Sequence, residues 1–284
     1  MRTSNIQPPL GTPLNRSHPL SKGLVYNGLL NEGGGRLAFD STNNCNIPGA
    51  LNGTGCVFKN SVRGNVIDND GTGSTGVAIG NFSALNLSTS PMTVSAWVKH
   101  DVLNTYHYLV SDYNSGATAA IFSLLKTDIT AANPNKFTFF WANTGLQYPN
   151  PFTAAGTTTA VVGTWYHVVG VREGATGAWT AKIYVNGRLE NSTAASGNPA
   201  TGGVPSIARI GSSVLALNLD GQIQNVQIWD RALSATEIAQ LYTNSYQMFK
   251  DPINIYSKRM QLINKVKFNN SGVRPRPFAP GLAR

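Results

Sequence analysis

The sequence predicts an all-β fold: two antiparallel sheets packed as a jelly-roll sandwich, with one short helix near the C-terminal end. Three observations predict it. Short runs of β-branched and aromatic residues recur along the chain, separated by turn residues. Glycine and proline number 29 and 15 in 284 residues, and charged residues make up only 12%. That mixture suits many strands and tight turns rather than helical bundles. The stretch from Asp220 to Tyr242 reads as one strand running straight into one capped helix.

The strands follow in chain order. Thr93–His100 alternates Val94, Ala96 and Val98 against Ser95, Trp97 and Lys99, so successive side chains divide between two faces. Ala119–Leu125 and Lys136–Ala142 are dense in aliphatic and aromatic residues, and Trp165–Arg172 is a further strand. Ala181–Glu190 contains Asn186-Gly187 between two apolar runs. Asn-Gly supplies the two positive φ angles of a type I′ turn, so this segment is a hairpin. Ile207–Gly211 and Gly221–Trp229 complete the set. Ile223 and Val226 are three apart, so both face the core only if a β-bulge lies near Gln224-Asn225.

The helix has its own signals. Ser234 is an N-cap, and Glu237 three residues on closes a capping box. Leu233 and Ile238 form the hydrophobic staple beside it. Ile238, Leu241 and Tyr242 then repeat at helical spacing and bury one face.

The chain divides into three parts: an extended proline-containing arm over 1–21, the sandwich over 22–246, and a second arm over 247–284. The net charge of +9 is concentrated in the last part. From Gln247 onward eight basic residues, among them Lys258, Arg259, Lys265, Lys267, Arg274 and Arg276, stand against Asp251 alone. Proline-rich termini are unstructured when free, so both arms are expected to settle on a protein neighbour, with nucleic acid the lesser reading. The N-terminus shows no apolar leader, and no run reaches the ~20 apolar residues of a membrane span. A protein made in the cytoplasm, with Cys45 and Cys56 as free thiols, is therefore expected.

Candidate chemistry is sparse. The four glutamates, Glu32, Glu173, Glu190 and Glu237, have no second carboxylate two residues away, which argues against a glycoside hydrolase. His18, His100, His107 and His167 are scattered, and no Gly-x-Ser-x-Gly elbow occurs. His167, flanked by valines, reads as a core or sheet-face residue. No cofactor is required. Calcium is the one metal whose oxygen ligands the loops could supply, from Asp68, Asp70, Asp112 and Asp220. The competing reading of Asp68-Asn69-Asp70-Gly71 is a turn, and it is favoured. For a glycan, rings at strand ends with nearby amides form the candidate cluster: Tyr106, Tyr108, Tyr113, Asn114, Trp141, Asn143 and Tyr148.

Several segments together resemble one family. Gly23-Leu24-Val25 with Asn31–Gly35 and Asp40, then Thr93–Trp97, Gly163–His167, Ile183–Gly187, Arg209–Gly211 and the closing Asp220–Tyr242 resemble the laminin G-like, concanavalin A-like jelly-roll domains. The flanks, Pro8–Gly11, His18–Gly23 and Tyr246–Phe249, resemble the arms of such proteins encoded beside phage structural genes. The chain departs from the family at Gln224 and Asn225, where acidic residues are common, so a metal or salt-bridge role there is in doubt. The resemblance implies a non-enzymatic adhesive protein of a bacteriophage virion: a capsid decoration, head-fibre or tail-associated protein. Its arms would bind other virion proteins, its sandwich would face host or environmental glycans, and a homo-oligomer is in keeping with such assemblies. A free lectin is the alternative, and a glycoside hydrolase the lesser one.

Overall fold

The computed structural model describes residues 6–44, 49–73, 76–79, 90–113, 120–141, 153–175, 177–195, 207–213 and 217–249. In chain order its strands are β1 (Leu24–Gly28), β2 (Leu37–Ala38), β3 (Gly49–Asn52), β4 (Cys56–Ser61), β5 (Gly64–Asp70), β6 (Gly76–Ala78), β7 (Met92–His100) and β8 (His107–Tyr113). There follow β9 (Ala120–Lys126), β10 (Lys136–Phe140), β11 (Thr153–Thr159), β12 (Trp165–Ala175), β13 (Ala178–Val185), β14 (Arg188–Ala195), β15 (Ile207–Ile210) and β16 (Asp220–Trp229). The helix α1 spans Ala235–Thr243.

Two antiparallel sheets result, as expected. The first runs β14-β13-β12-β7-β16-β5-β4, with β1 also paired to β16; the second runs β11-β10-β9-β8-β15-β6-β3-β2. Period-two alternation sends Val94, Ala96 and Val98 of β7, Val168 of β12 and Ile183 of β13 into the core between the sheets. They meet Leu109, Phe122, Phe137 and Phe139 of the second sheet there. Gly170 of β12 lies so close to the Phe139 ring that a Cβ would sit 2.2 Å from it.

The local devices fall where the sequence places them. Asn186 and Gly187 have φ of 50° and 78° between β13 and β14. The register of β16 against β7 shifts between Gln224 and Gln227, with Asn225 at φ 49°. This bulge keeps Ile223, Val226 and Ile228 all in the core. It also divides the other edge of β16, which pairs with β5 over 220–223 and with β1 over 226–229. Ser234 caps α1 and the capping box with Glu237 closes in both directions. Ile238 and Leu241 are buried; Tyr242 is not, being 39% exposed. The expected Asp68–Gly71 hairpin turn is instead the end of β5, with Asp70 accepting from Thr72 N at 2.9 Å across a bend. The β4–β5 hairpin turns at Val62-Arg63.

The N-terminal arm is corrected by the structure. Its described part packs on its own sandwich. Pro8 and Leu20 are buried, the Trp229 indole donates to Leu20 O at 2.7 Å, and Asn31 Nδ2 donates to Pro8 O at 2.7 Å. Leu14 forms a bridge with Phe249, and Asn15 N donates to Met248 O at 2.7 Å. These segments and α1 build a second apolar cluster on the outer face of the first sheet, around Trp229, Val169, Val171 and Tyr184. The remedy is physical: that face carries its own large apolar residues, and the chain ends cover them. Residues 250–284, including Lys258, Arg259, Lys265, Lys267, Arg274 and Arg276, lie outside the described residues, as does Cys45. Cys56 is a free, buried thiol that burial pushes up to about 11.

Two stability changes test this architecture by urea denaturation. Gly170→Ala, forced against Phe139, is expected to cost about 1–3 kcal/mol. Leu20→Ala, in a segment that would be dispensable if it were only an arm, is expected to cost about 2–5 kcal/mol.

Candidate functional site

The outward side chains of the first sheet beside α1 form a stack of rings. On β7 and β12, Trp97 and His167 are register partners, so their rings lie side by side, centroids 5.1 Å apart. Tyr242 of α1 lies over both, at 5.7 Å from Trp97 and 6.1 Å from His167. Gly187 permits this approach, since a Cβ there would meet Tyr242 Cβ at 3.1 Å. The Arg63 guanidinium, from the β4–β5 turn, sits 3.6 Å from the Trp97 ring centroid and 5.7 Å from that of Trp165. Such a stack is worth about 0.5–2 kcal/mol.

Hydrogen bonds fix each ring. Trp97 Nε1 donates to Ser245 Oγ at 2.8 Å, and Ser245 Oγ donates to Leu241 O. His167 Nε2 and Ser95 Oγ are 2.9 Å apart, and the His167 backbone N–H donates to Asn186 Oδ1. Gln224 Nε2 donates to the Tyr246 hydroxyl at 3.0 Å, and burial raises that phenol to about 12. Burial, with Arg63 nearby, drives His167 down to about 3. It is therefore neutral at ordinary pH. Burial also lowers Arg63 from the usual guanidinium range. The surface left open is the Tyr242 ring and the half-buried Arg63 and Trp165.

A second buried polar group closes one end of the sandwich. His100 Nδ1 and His107 Nδ1 are 2.9 Å apart. Lys126 Nζ donates to the Thr105 carbonyl and to Asn135 Oδ1. Burial, with the nearby Lys126 charge, holds His107 at about 3, and His100 well below its usual value; burial brings Lys126 to about 8.

Of the glycan cluster expected from sequence, the structure places Trp141, Tyr108 and Tyr106. Trp141 is fully buried in the core, 6.1 Å from Phe139 and 5.6 Å from the Arg172 guanidinium, so it fills the interior and offers no face to a sugar. Tyr108 is buried as well; Tyr106 is half-exposed just before β8. Asn114, Asn143, Tyr148 and the Tyr113 side chain lie outside what the structure describes. The ring stack was hidden from sequence reading because Trp97, Arg63 and Tyr242 come from three separate elements. The one available signal was Trp97 on the polar side of the alternating β7 pattern.

Of the four calcium aspartates, Asp70 and Asp220 are register partners with Asp68 nearby, and Asp112 stands apart. Asp112 is on β8 of the second sheet, whereas Asp68, Asp70 and Asp220 are on β5 and β16 of the first. Asp68 pairs with Lys59 at 3.2 Å and accepts from Gln222 at 2.9 Å. Burial raises the Asp220 carboxyl, helped by Asp101, Asp70 and Asp68. Among the described residues no group of three His, Cys, Asp or Glu side chains is placed to hold a metal ion. A cavity of about 480 Å³ between Leu10–Pro13 and Phe39–Asn43 has two carboxylates in its lining, Asp40, engaged through both oxygens, and Glu32, engaged through one. Asp40 accepts from the backbone of Asn27, Thr42 and Asn44, and Glu32 from Phe39 N.

Residues 70–239 match the family model Laminin_G_3, the concanavalin A-like lectin/glucanases superfamily, and the chain belongs to that family. Domain 4 of AbnA, a GH43 extracellular arabinanase from Geobacillus stearothermophilus solved in complex with arabinotriose, superimposes with a TM-score of 0.59 at 19% identity, over 77% of this chain and 98% of that one. Trypanosoma rangeli sialidase, solved with 2,3-difluorosialic acid, gives 0.55 at 20% identity over 81% of this chain, which spans 34% of the sialidase. The binding domain of Paraclostridial Mosquitocidal Protein 1 gives 0.54 at 15% identity, over 80% of this chain and 53% of that one. At these identities the likeness is one of fold. No curated protein matches the chain in sequence.

The three buried histidines set a pH dependence. Their folded values are depressed, so the unfolded chain binds more protons, between about 3 and 6.5 for His107 and His167 and in the same direction for His100. The stability they contribute is complete above about 6.5 and is lost as pH falls, by about 1.4 kcal/mol per pH unit for each group. Urea midpoints should fall between pH 7 and pH 4.5, and His167→Gln should flatten that slope.

Proposed function

We propose that this chain is a non-enzymatic carbohydrate-binding module that presents the ring stack beside α1 to its ligand. The observation that carries the reading is the stack itself: the solvent-facing Tyr242 ring is held rigid against Trp97 and His167. A rigid ring at a polar, hydrogen-bonded rim suits the apolar face of a sugar.

The non-enzymatic part is supported by the glutamates. Glu32 accepts from Phe39 N, Glu173 pairs with Lys182, Glu190 accepts from Thr157 N and Thr158 N, and Glu237 closes the helix cap while pairing with Arg231. Glu173, Glu190 and Glu237 are engaged in fold contacts, as is one oxygen of Glu32, whose other oxygen is buried without a partner among the described residues; hydrolysis needs a carboxyl free to act as acid or nucleophile.

The placement of the module on a phage virion is part of the same proposal. It is supported by the likeness of the flanks to phage-encoded arms and by the basic run from Lys250 to Arg284. Since residues 6–21 belong to the sandwich, anchoring falls to 250–284 alone.

A glycan array probed with the full chain tests the reading. Binding of at least one oligosaccharide is expected, weakened about tenfold by Tyr242→Ala, with no shortening of the bound glycan on prolonged incubation. An empty array, or cleavage products, would refute it. Removing 250–284 should leave sugar binding and the urea midpoint intact while abolishing incorporation into particles; undiminished incorporation would remove the virion placement.

A further inference from the structure

We infer that Arg63 makes this surface selective for sugars that carry a carboxylate; the inference rests on reading the ring stack as the recognition surface. Arg63 is an unusual arginine. Its guanidinium lies over the Trp97 ring, 3.6 Å from the centroid, and near Trp165, and among the described residues no carboxylate pairs with it. Its Nε is buried without a hydrogen-bond partner. The titratable groups that act on it are the phenols of Tyr246 and Tyr242, and the buried His167 feels it in turn. A guanidinium stripped of part of its water and left without a counter-charge is a poised receptor for an anion.

The side chain is also fixed in place. The turn that carries it is braced at each residue: Arg63 N donates to Ser61 Oγ at 3.1 Å, and Ser61 Oγ donates to Gly64 O at 3.0 Å. Gln7, from the N-terminal segment, clamps the next residue, accepting from Asn65 N at 2.8 Å and donating to Asn65 O at 3.0 Å. Gly64, at φ +97°, leaves room for Gln7; a Cβ there would fall 2.5 Å from its Oε1. A planar fork that need not be ordered on binding loses little entropy when an anion arrives.

What surrounds Arg63 selects for more than charge. It lines a cavity of about 300 Å³ together with the amides of Gln7, Asn60 and Asn65 and the apolar Ile6 and Val62, the last 96% exposed. No acidic residue lines it. The Gln7 amide is spent on Asn65 and Leu29 and the Asn65 amide on Asn31 and Asn60, so among the described residues Asn60 Oδ1 is the amide oxygen left to accept from a hydroxyl group. The apolar Ile6 and Val62 of the cavity rim suit the face of a sugar ring. A carboxylate on such a ring can take the terminal nitrogens of Arg63 in a paired geometry. Neutral sugars leave the guanidinium unpaired, and small inorganic anions leave the rim and the Asn60 amide oxygen unused.

Titration calorimetry of the full chain with tri-galacturonic acid, its neutral galactose counterpart and inorganic phosphate, at low and high salt, tests this. The carboxylated trimer is expected to bind about tenfold or more tightly than the neutral one. Arg63→Gln should bring that ratio close to one, and Arg63→Lys, which keeps the charge but not the planar fork, should reduce it several-fold. Thermal melts confirm folding; if Arg63→Gln does not fold, Arg63→Lys carries the comparison. Equal binding of the two trimers, or an unchanged ratio in both variants, overturns the inference while leaving the carbohydrate-binding reading intact. Phosphate binding as tight as the trimer overturns the sugar assignment. Failure of every sugar overturns both.

Discussion

The central strands of the first sheet, β12, β7, β16 and β1, are buried on both faces, and the rest of the molecule follows from that constraint. A sandwich of two sheets normally leaves each outer face to water. Here β16 sends Ile223, Val226 and Ile228 inward and Trp229 outward, and all four are buried. The outward set, joined by Val169, Val171 and Tyr184, needs an apolar cover. Residues 14–29, α1 and residues 246–249 supply it. The bulge at Asn225 makes the arrangement compatible with one strand, since it lets β16 change edge partners from β5 to β1 without turning its core residues outward.

The same constraint produces the candidate surface. Once the outer face is covered, polar groups there need partners of their own. Ser95 finds His167, Trp97 finds Ser245, Gln224 finds Tyr246, and Thr93 receives Leu233 N. The cover stops short at the β4–β5 turn, and there the rings of Trp165 and Tyr242 and the guanidinium of Arg63 meet solvent. The surface is thus a rim where buried and exposed regimes meet, and its rigidity comes from the covered side.

Much of the fold was legible in the sequence because its devices are local. The β7 alternation, the Asn186-Gly187 turn, the Asn225 bulge and the Ser234–Glu237 box each depend on residues a few positions apart. The β4–β5 hairpin and β11 were not legible. Lys59, Asn60 and Asn65 break the apolar pattern of the first, and β11 is mostly threonine and small residues. The site was less legible still. Arg63 and Trp97 are thirty-odd positions apart, and Tyr242 is on a helix whose period alone marked it as buried. The sequence leaves Trp141 open as a sugar platform because an aromatic at a strand end is common to surface sites and interiors; its complete burial in the core decides between them. The N-terminal prolines suggested a free arm because proline reports backbone preference and says nothing of where Leu20 goes.

The bridge between Leu14 and Phe249 has a mechanical side. In an antiparallel pair, the chain leading into the first strand and the chain leaving the second emerge on the same side. Here the N-terminal side does not leave the domain at that point: Gln7 bonds to Leu29 and Asn65, and Asn31 to Pro8. Tension on that end would have to strip these contacts before any load reached the bridge, so the strap shields the seam behind it.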